Sequence, residues 1–108
     1  YTVAHEKFDP RVIPESYILL REMPTFEYGA NYRDLKRITD TLSPRYPIIL
    51  IQNDCMVSSG KTLLEAYDRM EVAEYSAKAT VSARNLGGMK PITDAQIADL
   101  VKAFKLIP

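Results

Sequence analysis

Two stretches of this chain carry side chains in an order that chemistry could use. The first is Gln52-Asn53-Asp54-Cys55, four consecutive polar or thiol residues that follow directly on the apolar run Ile48-Ile49-Leu50-Ile51. Polar groups that emerge at the end of a buried strand stand where ligands commonly meet an α/β sheet. The same residues suit a plain Asx turn made by Asn53 and Asp54, and local residue types alone favour that plainer reading. The second stretch, Cys55-Met56-Val57-Ser58-Ser59-Gly60-Lys61-Thr62, is one glycine short of the phosphate-binding pattern G-x-x-x-x-G-K-[ST]. The glycine missing at Cys55 is the one that lets such a loop turn its amides inward, and no later strand ends in an aspartate to hold magnesium. Gly60 is therefore read as a turn, Lys61 as a solvated charge and Thr62 as a helix cap. His5 is the only imidazole, so no centre built on several histidines can be completed here, and beside Glu6 and Lys7 it reads as a solvated or hydrogen-bonded side chain.

The elements that must position these residues follow from pattern. Ile48 to Ile51 is apolar on both faces, as in a strand at the middle of a sheet covered above and below. Met56-Val57 resumes after the polar tetrad as a second strand. Upstream, Pro14 to Met23 begins with a proline suited to a first helical turn and stops before Pro24, which predicts a short helix. Thr25 to Tyr28 alternates as a strand up to Gly29, and Asn31 to Leu42 places Leu35, Ile38 and Leu42 on one helical stripe. Downstream, the capping box Thr62-x-x-Glu65 opens the longest helix, Thr62 to Leu86, which Gly87-Gly88 ends. Glu65 with Arg69 and Glu74 with Lys78 stand at i,i+4 on its exposed side, and Ala66, Ala73, Ala77 and Ala83 permit close approach of a neighbour. A second box, Thr93-x-x-Gln96, opens a last helix with Ile97, Leu100, Val101 and Phe104 at helical spacing. The expected fold is α/β, a central mixed sheet covered by helices, and residues 1–108 form one domain.

Composition narrows the function classes. The 14 basic residues are matched by 14 acidic ones, so there is no electrostatic footprint for sequence-independent binding of nucleic acid. The longest apolar run, Ile48 to Ile51, is far short of a membrane span, and the first residues have neither a charged nor an apolar leader region. The single cysteine, Cys55, rules out an intramolecular disulfide framework, which makes the reducing cytoplasm the expected compartment.

The stretch from Pro47 to Phe104, running P-I-I-L-I-Q-N-D-C-M-V-S-S-G-K-T-L-L-E-A-Y and later G-G-M-K-P-I-T-D-A-Q-I-A-D-L-V-K-A-F, resembles the C-terminal part of the class II aldolase/adducin family. That family includes fuculose- and rhamnulose-phosphate aldolases, ribulose-phosphate 4-epimerase and the adducin head domain. Asp9 to Glu15 and Met23 to Gly29 look like the segment that links the family's metal-binding region to its next helix. The resemblance covers nearly the whole chain and rests on element order together with the strand, turn, G-K-T and long-helix junction.

The resemblance implies a three-layer α/β/α fold, incomplete in this chain, and a metal-dependent aldehyde-lyase acting on a ketose phosphate or related sugar. In such enzymes a divalent metal polarises the substrate's carbonyl and hydroxyl while a carboxylate moves the proton. The family's metal is held by a His-x-His pair, which would lie upstream of Tyr1, and by the histidine of an N-H-G or H-H-G motif, which here reads Asn53-Asp54-Cys55. Asp54 then stands at the ligand position, an oxygen donor suited to zinc or to the harder manganese, with Asn53 and Cys55 shaping the turn. The other ligands, the acid/base carboxylate and the phosphate-binding loops would all come from outside this chain. The family also implies a homo-oligomer, commonly a cyclic tetramer. A non-catalytic head domain like that of adducin, with an eroded metal site, is the alternative that the change to Asp54 leaves open.

Overall fold

The computed structural model describes residues 1–107. At its centre lies β2 (Ile48–Ile51), in which every residue is buried. Successive side chains of a strand point to opposite faces, so a strand apolar throughout needs cover on both sides. Ile48 packs with Phe8, Leu20, Met23 and Ala73 on one face, while Ile49 and Ile51 pack with Phe26, Ala30 and Ile38 on the other. Leu20 belongs to α1 (Pro14–Leu20) and Ala73 to α4 (Leu63–Ala83). Ala30 and Ile38 come from α2 (Ala30–Arg33) and α3 (Leu35–Thr41). The outcome is an α/β fold in three layers, with helices on either side of a small sheet.

That sheet has three strands in the order β1 (Thr25–Phe26), β2, β3 (Met56–Ser58). Thr25 lies opposite Leu50 in a parallel pair, and Ile48 lies opposite Ser58 in an antiparallel one, so the sheet is mixed as expected. Among the described residues no helix is long and apolar enough to cross a membrane.

Several boundaries differ from those read from the pattern. The helix expected over 14–23 stops at Leu20, because Arg21 adopts φ 56 and ψ −137 and leaves the helical path. The strand expected over 25–28 is confined to Thr25–Phe26. The single helix expected over 31–42 is two, since Asp34 turns out of helical geometry and its carboxylate accepts the amide of Arg37 at 3.2 Å as the cap of α3. A short polar side chain that competes for backbone donors interrupts a helix in just this way. Leu35, placed on the buried stripe by its spacing, is 61% exposed.

At the head of α4, Thr62 accepts the amide of Glu65 at 3.1 Å as expected, but the carboxylate of Glu65 accepts the amide of Lys61 at 2.7 Å instead of that of Thr62. The helix runs to Ala83, tightens into a 3-10 turn over Arg84–Leu86 and is reversed by Gly87 at φ 97. Both expected ion pairs form, Glu65 with Arg69 at 2.9 Å and Glu74 with Lys78 at 3.9 Å. The box of Thr93 and Gln96 closes in full at the head of α5 (Asp94–Phe104). None of its residues is buried, and Phe104 is exposed.

Candidate functional site

Parallel pairing of β1 and β2 brings their carboxyl ends side by side, and the two segments that leave these ends meet there. β2 runs into a tight turn closed by the Asp54 amide on the Ile51 carbonyl at 3.1 Å and the Ile51 amide on the Cys55 carbonyl at 2.8 Å. Within it Asn53 takes φ 56, the left-handed region that asparagine tolerates better than most residues. β1 runs through Gly29, whose φ of 85 starts α2 and carries Asn31 to the same edge. The Nδ2 group of Asn31 donates to Oδ2 of Asp54 at 3.3 Å.

A third segment covers the turn. The amide of Asn53 donates to the carbonyl of Thr2 at 3.1 Å, and Nε2 of His5 donates to Oδ1 of Asn53 at 2.5 Å. The one imidazole is thus hydrogen-bonded beside the very turn that the sequence singled out. Neither Asn31 nor His5 stood out as a site residue, because each joins the turn only through the tertiary fold, 23 and 48 residues away in sequence.

The chemistry available differs between the two neighbours. Asp54 is exposed, with one carboxylate oxygen held by Asn31. Cys55 is half-buried, and its thiol is pushed above the ordinary range first by burial and then by the charge of Asp54. Both effects favour the neutral thiol over the thiolate, which is the form that ligates metal. Among the described residues no three His, Cys, Asp or Glu side chains group as a metal site. These donors fit a divalent ion as one ligand, the Asp54 carboxylate, and do not complete its shell. Beside the turn lies a cavity of 320 Å³, largely apolar, to which Tyr1, Phe8, Leu50, Cys55 and Glu74 contribute.

The near-match to a phosphate loop has a packing explanation. A Cβ on Gly60 would stand 2.8 Å from the amide nitrogen of Ala66, so the residue must be glycine for the loop to lie against the first turn of α4. The carboxylate of Glu65 occupies the Lys61 amide, where a phosphate would need a free donor. Ser59 is bound through both amide and hydroxyl to the Pro47 carbonyl at 2.9 Å. The segment is a strand-to-helix connector.

The family model described as Class II Aldolase and Adducin N-terminal domain matches residues 2–81. None of the curated proteins and none of the solved structures matches the chain.

Proposed function

The chain belongs to the class II aldolase and adducin family, and from that premise we propose that it forms part of a metal-dependent aldehyde-lyase acting on a ketose phosphate or related sugar. The placing of Asp54 carries this reading: an exposed carboxylate, oriented by Asn31, at the edge where the carboxyl ends of two parallel strands converge. Asp54 is then one ligand of a zinc or manganese ion whose remaining ligands come from outside these residues. When bound, such an ion stabilises the negative charge that develops as the carbon–carbon bond breaks.

The chain's own residues hold that ligand in place. Asn31 restrains the Asp54 carboxylate, and Asn53, held to Thr2 and His5, fixes the backbone from which it projects. Burial and the charge of Asp54 both oppose the thiolate of Cys55. A small sugar or sugar phosphate as substrate, a homo-oligomer (a tetramer by family likeness) and a cytoplasmic location complete the proposal.

The test is substitution of Asp54 in the full-length protein. Asp54→Ala is expected to lose bound metal and carbon–carbon cleavage while its circular dichroism is unchanged, because an exposed carboxylate contributes little to packing. Asp54→His is expected to retain metal with a preference shifted towards zinc. Full metal content and activity in Asp54→Ala would make Asp54 a turn residue and nothing more. A wild-type protein that takes up no divalent metal would hand the chain to the non-catalytic, adducin-like reading.

A further inference from the structure

Just past the end of α1 the fold buries a positive charge that no carboxylate among the described residues answers. Arg21 is only 6% exposed, and a buried guanidinium is stable only where its charge and its donors are met. One Nη group donates to the carbonyl of Ile107, and the guanidinium lies 5.4 Å from the ring centre of Tyr17. Its Nε is buried and has no hydrogen-bond partner among the described residues, and no carboxylate among them lies within ion-pair distance.

Arg21 shares a cavity of 210 Å³ with Arg11, Arg45, Asp9 and Glu22. Arg11 is committed, pairing with Asp9 at 2.9 Å and Asp94 at 3.2 Å. Arg45 reaches Glu22 through one contact at 3.5 Å, long for a charge-assisted bond, and its other donors remain available. The walls thus carry three guanidinium groups against two carboxylates. An adjoining cavity of 400 Å³ shares Asp9, Arg11 and Glu22 and adds Lys7, which extends the positive excess.

We propose that this cavity binds a phosphate group, held by Arg21 and Arg45. Two guanidinium groups from different elements, the end of α1 and the loop between α3 and β2, suit a tetrahedral anion whose oxygens point several ways. A carboxylate is satisfied by a single planar fork. The phosphate supplies the negative charge that no described carboxylate brings to Arg21, and the adjoining cavity admits the remainder of a small phosphorylated molecule. The site is lined by no residue of the Asn53-Asp54-Cys55 turn, so it stands or falls independently of the metal reading.

The test is a titration of the full-length protein, labelled with ¹⁵N-arginine, at constant ionic strength, following the Nε–Hε resonance of Arg21. Inorganic phosphate is expected to give a saturable shift that is at least ten-fold weaker in affinity in Arg45→Gln and absent in Arg21→Gln. Because Arg45 is only half-buried and pairs with Glu22 through one long contact, its variant keeps the test sharp even if Arg21→Gln fails to fold. A sugar monophosphate arm separates the sources, tighter binding than phosphate marking an organic phosphate and weaker binding the free ion, and both support the site. Succinate binding as tightly as phosphate, an unchanged affinity in Arg45→Gln, or no saturable shift in the wild type would each overturn it.

Discussion

Asp54 and Cys55 are adjacent acids, and the charge of one raises the cost of charging the other. Burial already opposes the Cys55 thiolate, and the Asp54 carboxylate adds to it. As the only cysteine, Cys55 can be followed by alkylation with iodoacetamide. Its rate is expected to rise with pH along a curve displaced above that of an ordinary thiol near about 8.5. Asp54→Asn should move the curve part of the way back, since burial remains, and an unchanged curve would show that the two groups do not sense each other. Linkage has a definite sign here. A folded-state pKa raised above the unfolded one means that stability is intact below about pH 8.5 and is lost as pH rises through the folded thiol's pKa. At this scale the sequence showed Asp54 and Asn53, because a polar break after an apolar strand is a local signal. It could not show Asn31 or His5, whose approach to the turn depends on parallel strand pairing and on the path of the N-terminal segment.

Between α1 and α4 the interface combines the apolar contact of Leu20 and Ala73 with two small polar side chains. Ser16 and Ser76 are fully buried, with their hydroxyl oxygens 2.6 Å apart, and the Ser76 hydroxyl also reaches the Val72 carbonyl at 2.6 Å. The Val72 carbonyl can only accept, so Ser76 donates to it and Ser16 donates to Ser76. Ser76→Ala therefore strands the Ser16 hydroxyl and should cost about 1–3 kcal/mol, whereas Ser16→Ala leaves Ser76 bonded and should cost roughly 0.5–1.5 kcal/mol. Urea denaturation of the two variants checks the order, and the reverse order would refute the proton assignment. The elements that were legible from sequence are those governed by local rules: α4 and α5 from their threonine caps, β2 from its doubly apolar run. The break at Arg21 was not legible as a boundary, because only the backbone turns away there, whereas at Asp34 the capping carboxylate was a local signal that the helical spacing of Leu35, Ile38 and Leu42 overrode.

At the scale of the molecule, β2 joins two cores that do not otherwise share a residue. Ile48 belongs to the one beneath α1 and α4, and Ile49 and Ile51 belong to the one beneath α2 and α3. That a strand apolar at every position lies between two layers was readable from four residues. Which helices supply the layers was not, since that depends on crossover direction and strand order. If β2 is the shared wall, the two cores unfold together, and opening either one exposes the strand. Ile48→Ala and Ile49→Ala, on opposite faces, should then each cost about 2–5 kcal/mol. Each loss should appear as faster amide exchange on both sides of the sheet, because exchange of the most protected amides reports global opening. In the wild type, Ile48 to Ile51 should exchange slowest of all, and Ser43 to Tyr46, in the loop before β2, should exchange fast. Equal exchange rates in these two segments would remove β2 from the centre of the fold. A loss of protection confined to the mutated face would leave β2 central but make the two layers separate cooperative units.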